Sequence, residues 1–185
     1  MRVNSNVRPR NTVLVPRPDA MCFIDGYKAV LLAVFTTAGS RRTTNLINDL
    51  ADARSHAAVN PKALDSAIDM VKARGDLLSS EIEHAVRSLR VGRWFHLRHT
   101  TRYALLLDEA AENAYAIKAL TTPLHEIVGS KAVSFEAGVV EYKGQYVCDG
   151  IVLNPLYLGP GMRESLKEAY ARIKREGRFH MSVAA

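Results

Sequence analysis

The pattern of apolar and polar positions predicts helices over the first half of the chain. The clearest helix follows Asn60 and Pro61, a cap and first-turn proline, and ends at Gly75. Its apolar residues recur at helical spacing, at Leu64, Ala67, Ile68 and Val71. Similar patterns predict helices over about 25–38, from Thr43 or Thr44 onward, and from a capping box at 80–83 to Gly92.

From Arg93 the period changes to two, which is typical of strands. The alternation predicts strands near 93–99, 102–108, 114–121, 133–142 and 145–153, with a break or bulge near Gly138. Lys143 and Gly144 predict a tight hairpin turn between the last two strands. A final amphipathic helix is predicted over 162–176, after a loop rich in glycine and proline.

These elements predict an α+β fold in which about four helices precede an antiparallel sheet of about five strands and a C-terminal helix. We expect a flexible basic arm over 1–20 and one domain over 21–177. The domain divides into a helical part over 21–92, a β-rich part over 93–153 and the final helix over 162–176. Helices followed by a hairpin also resemble the element order of a winged-helix unit, in which the last helix enters the DNA major groove.

Composition favours a water-soluble cytoplasmic protein, since 48% of the residues are apolar and 24% are charged. The longest apolar stretch, 29–35, is too short to predict a membrane span, and the first twenty residues contain no apolar run typical of a secretion signal. Cys22 and Cys148 are the only cysteines, and we interpret both as reduced thiols.

The positive charge suggests a function because it is concentrated in two segments of the chain. The net charge is +6, yet 84–107 contains five arginines and no acidic residue, and 1–18 contains four more arginines. Guanidinium groups bind phosphate in two-point contacts and stack on bases. We therefore expect a nucleic-acid-binding regulator or accessory factor that uses seven residues of the helix-to-strand segment: Arg87, Arg90, Arg93, Trp94, His96, Arg98 and Arg102. Either the helix enters a groove, or Trp94, His96 and Arg98 form a binding face on one strand.

Two other function classes stay open. A protein-interaction module, such as a small adaptor or inhibitor, would use the same basic surface for an acidic partner protein. An enzyme would use Cys148, Asp149 and a histidine, although no motif supports it. If Asp149 faces the core, its carboxylate must be hydrogen-bonded or have a raised pKa.

No cofactor or metal is expected. His96 and His99 are three residues apart, which on a regular strand places them on opposite faces. The chain contains no metal-ligand motif of the Cys-x-x-Cys or His-Glu-x-x-His type. The loop before the last helix lacks the residues of a phosphate-binding P-loop, so it is interpreted as a helix start.

Overall fold

The computed structural model describes residues 12–39, 43–75, 78–129 and 132–183. Its helices are α1 Arg17–Thr37, α2 Leu46–Val59, α3 Pro61–Ala73, α4 Ser80–Arg87, α5 Leu124–Val128 and α6 Pro160–Arg175. The predicted start of α3 is confirmed, since the Asn60 side chain accepts a hydrogen bond from the Ala63 amide. For α4 the cap is Ser79, one residue earlier than predicted. The short α5 was not predicted.

The first helix begins earlier than its sequence pattern indicated. α1 starts at Arg17 after Pro16, and Asp25, the predicted cap, is an exposed residue inside the helix. Of the predicted flexible arm, residues 1–11 lie outside the described part of the chain, whereas Leu14 forms a bridge with Ala119. α1 is also long and apolar enough to cross a membrane by length and composition, although half of its most apolar window is buried within the protein.

Seven strands follow: β1 Arg90–His99, β2 Ala104–Leu107, β3 Ala114–Lys118, β4 Val133–Tyr142, β5 Gln145–Cys148, β6 Leu153–Tyr157 and β7 Phe179–His180. The fifth predicted strand is split, because Gly150 has a φ of +83° that breaks the extended chain between β5 and β6. No bulge occurs at Gly138 in the pairing with β1; the irregularity of β4 lies between Ser134 and Glu136, opposite β6.

Five strands close into a barrel. β1 pairs with β2, β2 with β3, β5 with β4, and β4 with β1, all antiparallel, while β3 and β5 close the ring with a parallel pairing. β6 adds to the first half of β4, and β7 adds to the start of β3. The sheet is therefore mixed rather than purely antiparallel. The winged-helix arrangement is not confirmed, since β1 pairs with β4 as well as β2 and is a barrel strand.

Three apolar clusters hold these layers together. The barrel interior contains Trp94, Leu106, Ile117 and Phe135, whose neighbours along each strand face outward. The helices α1 to α4 cover the outer face of β4 and β5. α6 covers the outer face of β2 through Leu166 and Ile173. The candidate site lies beside these two layers, where Ala116 and Lys118 of β3 line a cavity.

Candidate functional site

Arg87, the predicted groove-contacting residue of α4, is already held by two carboxylates. Its guanidinium donates to Asp65 of α3 and, at 3.0 Å, to Glu83 one turn earlier in the same helix. Lys72 also donates to Glu83, and Lys72 and Arg87 together lower the pKa of that carboxyl group. The structure thus compensates the charge of Arg87 with Glu83 of its own helix and with Asp65, which lies 22 residues away in the sequence.

Arg90 and Arg93 are compensated in the same way by β4. The Arg90 guanidinium lies 2.9 Å from a carboxylate oxygen of Glu141, and that of Arg93 lies 2.7 Å from Glu136. These are cross-strand pairs that the β1–β4 register produces. Although residues 84–107 contain no Asp or Glu, the folded surface around Arg90 and Arg93 does contain carboxylates.

Trp94 and His96 do not form an exposed binding face with Arg98. Trp94 is 5% exposed, its indole N–H donates to the Ala137 carbonyl at 3.1 Å, and its ring packs edge-on against Tyr115. His96 is fully buried. Both side chains point into the closed barrel, so the expectation of a Trp94–His96 stacking platform is corrected: neither ring is accessible to a base.

The predicted separation of His96 and His99 is also wrong. A register shift between His96 and Arg98 interrupts the alternation, and the two rings lie nearly parallel with centroids 6.4 Å apart. His125 of α5 stacks on His99 at 4.0 Å. Stacked parallel rings do not point their nitrogens at a common centre, and within the described ranges no group of three potential ligands is arranged to hold a metal ion.

The last two predicted residues lie at the other end of β1. Arg98 is exposed, and its guanidinium lies 5.6 Å from the centre of the Tyr170 ring of α6. Arg102 is exposed in the loop between β1 and β2. Two of the seven predicted residues line cavities in the described chain: Arg93 lines one that also contains Asp52, Glu109 and Glu136, and Arg102 lines one without carboxylates.

This cavity, which we name the basic pocket, is half-open and has a volume of about 250 Å³. It is lined from four segments: the β1–β2 loop, the outer side of β3, the β4–β5 turn and the chain after β7. Its lining residues in the described chain include no Asp or Glu. The polar and aromatic ones that concern binding are Arg102, Tyr103, Lys118, Lys143, Gln145 and Ser182.

Lys118 ties two of these segments together. It ends β3 with its side chain on the outer face, is 8% exposed, and donates to the backbone carbonyls of Thr12 and, at 2.7 Å, of Arg102. Burial, and to a lesser extent the nearby Arg102 charge, lower the pKa of its ammonium group. An anion bound in the pocket would offset this positive charge and so favour the protonated form of Lys118.

Lys143 approaches the pocket from the β4–β5 turn. Lys143 and Gly144 have φ of 50° and 71°, as the predicted two-residue hairpin turn requires. Its ammonium group lies 2.8 Å from Asp19 of α1 and 3.7 Å from Glu81 of α4, and the hydrogen bond to Asp19 raises its pKa. Neither carboxylate is among the pocket lining. Lys143 therefore anchors the turn to the helical layer and lies at the edge of the pocket, where Asp19 compensates its charge as Glu141 and Glu136 compensate those of Arg90 and Arg93.

A second group of interest is a buried ion pair between Arg54 of α2 and Asp149, which follows β5. The two charged groups are 3.2 Å apart and both side chains are almost fully buried. The Asp149 carboxylate also accepts from the Tyr27 hydroxyl at 3.1 Å and from the amides of Gly138 and Ile151. Burial raises the pKa of Asp149, and the Arg54 charge with these hydrogen bonds opposes the rise.

The Arg54–Asp149 pair is a structural tie. It joins α1 and α2 to the barrel, and the same Arg54 nitrogen that contacts the carboxylate also donates to the Ile151 carbonyl at 2.6 Å. Gly138 is required beside it, because a β-carbon there would lie 2.9 Å from the Asp149 carboxyl carbon. The expectation that a core-facing Asp149 needs hydrogen bonds or a raised pKa is met on both counts, and its partners account for both of its oxygens.

Cys148 is buried beside this pair, and burial raises the pKa of its thiol to about 12. Since the thiolate is the nucleophilic form, almost none of it exists at neutral pH. Cys148 and Asp149 line a cavity of about 280 Å³ whose described lining includes no histidine, and the raised thiol pKa gives no support to the enzyme hypothesis that uses Cys148.

Sequence reasoning missed Lys118 and Lys143 as members of a charged site. Lys118 occupies an ordinary outward position of a strand, and Lys143 was interpreted only as a turn residue. The signal that could have found them is spatial, since the pocket exists only once folding brings its four chain segments together. Comparison with known proteins gives no further information, because no protein family, no curated protein and no solved structure matches this chain.

Proposed function

We propose that this protein binds single-stranded nucleic acid through the basic pocket. The observation that carries the proposal is the convergence of Arg102, Lys118 and Lys143, from three separate chain segments, on one recess whose described lining contains no carboxylate. Phosphate groups dominate the affinity of nucleic acids for proteins, and cations arranged along a groove are the usual means of binding them.

The barrel topology supports the same proposal. The five strands, closed in the order β1-β2-β3-β5-β4-β1, resemble the five-stranded Greek-key barrel of OB folds. In OB folds, the face of strands 2 and 3 and the loops between strands 1 and 2 and between strands 4 and 5 bind oligonucleotides. The basic pocket is built from those same two loops and from β3. This likeness is one of topology, and the argument for function rests on the charged residues.

The pocket suits a single strand better than a duplex. Tyr103, half-buried at its rim, offers a ring on which an unpaired base can stack, and the recess admits a flexible backbone. Thr12, the first described residue, contacts Lys118. The proposal keeps the predicted cytoplasmic location.

The proposal differs from a winged-helix mode of binding in the residues it uses. α4 packs on β4, and its Arg87 is engaged by two carboxylates, so this helix has no role in the proposed interface. Arg102 is retained from the predicted set, while Arg87, Arg90 and Arg93 serve as ion-paired surface residues.

Fluorescence anisotropy with a labelled single strand of about 12 nucleotides tests the proposal. Arg102→Gln is the cleanest variant, because the side chain is exposed and only the backbone of Arg102 is hydrogen-bonded to Lys118 and Thr100. We expect weaker binding and a salt dependence reduced by about one phosphate contact. Arg163→Gln, an exposed arginine of α6 outside the pocket lining, is the matched control and should change neither quantity.

Three outcomes contradict the proposal: no binding at about 50 mM salt, equal loss in the two variants, or full competition by a duplex of the same length. If oligonucleotides do not bind, the runner-up hypothesis of an acidic protein partner gains support. Affinity capture with and without nuclease treatment, using Arg102→Gln as the negative control, separates these two classes of partner.

A further inference from the structure

The chain after α6 returns to the barrel and lies along the basic pocket. β7 pairs in parallel with the start of β3, joining Ala114 with Phe179 and Tyr115 with His180. One edge of β3 is taken by β2 along its length, and the other edge pairs with β5 only at Ile117 and Lys118. β7 therefore fills the part of that second edge which β5 leaves open.

Two anchors fix the beginning of this segment. The Phe179 ring packs against Tyr170 and Tyr103, with centroids 5.6 and 6.1 Å apart. The His180 ring stacks on Tyr115 at 4.8 Å, and its Nε2 lies 3.2 Å from the side-chain oxygen of Asn113. Both residues are held by aromatic contacts inside or beside the barrel. Of these contacts, the one between Phe179 and Tyr103 involves a residue that lines the pocket, whereas those with Tyr170 and Tyr115 do not.

The following residues lie across the pocket itself. Met181 and Ser182 line it, and Met181 is 52% exposed. The Val183 amide then donates to the Gly144 carbonyl of the β4–β5 turn at 3.1 Å. Residues 181–183, which we name the strap, thus span the distance from β3 to the turn that carries Lys143. A ligand that contacts both Arg102 and Lys143 has to cross the same distance.

We propose that the strap competes with the ligand for the basic pocket and is released from Gly144 when the ligand binds. This inference rests on the proposed function and concerns the regulation of the same site. Its physical basis is the weakness of the tie, which combines a backbone hydrogen bond with the packing of the half-buried Val183 side chain at the edge of the barrel cluster. Each contributes little net stability, so the tie opens readily while the Phe179 and His180 anchors stay in place.

Val183→Pro tests this inference because proline lacks the N–H that donates to Gly144. The substitution changes no charge, and it leaves Phe179 and His180 as they are. Val183→Ala keeps the N–H and is the matched control for the loss of side-chain packing. We expect Val183→Pro to bind the labelled single strand about two- to tenfold more tightly, the range that one hydrogen bond represents. Val183→Ala should change affinity by less.

Hydrogen exchange of the Val183 amide in the wild-type protein provides a second readout. We expect the single strand to accelerate this exchange, because the amide loses its acceptor on binding. Equal or weaker binding by Val183→Pro, or slower exchange in the complex, overturns the strap inference and leaves the proposed function intact. If the wild-type chain binds no oligonucleotide at low salt, the proposed function fails and the strap inference fails with it.

Discussion

Removing one partner of the buried Arg54–Asp149 pair should be among the most destabilising single changes in this protein. Asp149→Asn is nearly isosteric, so its effect reports on charge and hydrogen bonding and leaves packing almost unchanged. The amide nitrogen would replace an oxygen that accepts from Tyr27 and Arg54. The Tyr27 hydroxyl can rotate and accept instead, whereas the guanidinium has only donors and cannot lose its proton. Arg54 would remain charged, buried and poorly compensated.

The size of the effect follows from this uncompensated charge. Breaking a buried ion pair by removing one partner costs about 3–5 kcal/mol. For a chain of this length each kcal/mol lowers Tm by about 2–4 °C, so we expect Asp149→Asn to lower Tm by about 6–20 °C. Arg54→Met should cost less, because the Asp149 carboxylate keeps three neutral donors and its raised pKa allows it to take up a proton. The double variant should fall short of the summed effects by about 1–3 kcal/mol.

Urea unfolding followed by far-UV circular dichroism at neutral pH measures these free energies. Asp52→Asn, an exposed aspartate on the same helix as Arg54, is the control and should stay within about 0.5 kcal/mol of the wild type. Strict additivity in the double variant would show that the two groups do not interact. A loss below about 1 kcal/mol for Asp149→Asn would show that the buried charge is compensated by other means, and either result refutes the reasoning.

Two further predictions concern individual titratable groups. Iodoacetamide at mildly alkaline pH should label the exposed Cys22 in the native protein and leave Cys148 unlabelled until the chain unfolds, because burial raises the pKa of Cys148 to about 12. Mass spectrometry of native and urea-unfolded samples checks this prediction. Labelling of Cys148 in the native protein would contradict the buried geometry. The lowered pKa of Lys118 predicts that nucleic-acid affinity falls as pH rises, at values below the ordinary lysine pKa of 10.5, since phosphate binds the protonated form. Between the lowered pKa of Lys118 and the ordinary value of 10.5, the unfolded chain binds more protons than the folded one, so the free energy of unfolding should rise with pH while the affinity for nucleic acid falls. An affinity that does not depend on pH, or that falls equally in Lys118→Met, would count against the role of Lys118.

Local patterns in the sequence determined most of the elements of this fold, although they did not predict α5 or β7. Asn60 and Pro61 predicted the start of α3, and Lys143 with Gly144 predicted the turn between β4 and β5, because caps and tight turns depend on residues next to one another in the chain. The α+β class followed from the change of apolar period near Arg93. Boundaries were less accurate where tertiary contacts extend an element, as in α1, which begins at Arg17.

Only the tertiary structure decided which charged and aromatic side chains are exposed and which of them lie together. The stretch from His84 to Leu107 contains no acidic residue, yet β4 places Glu136 and Glu141 against its arginines, because strand pairing brings together residues that are over forty positions apart. The same closure of the barrel buried Trp94 and gathered Arg102, Lys118 and Lys143 into one pocket. Net charge is a property of the sequence, whereas the field at a surface depends on distances between charges, and folding sets those distances.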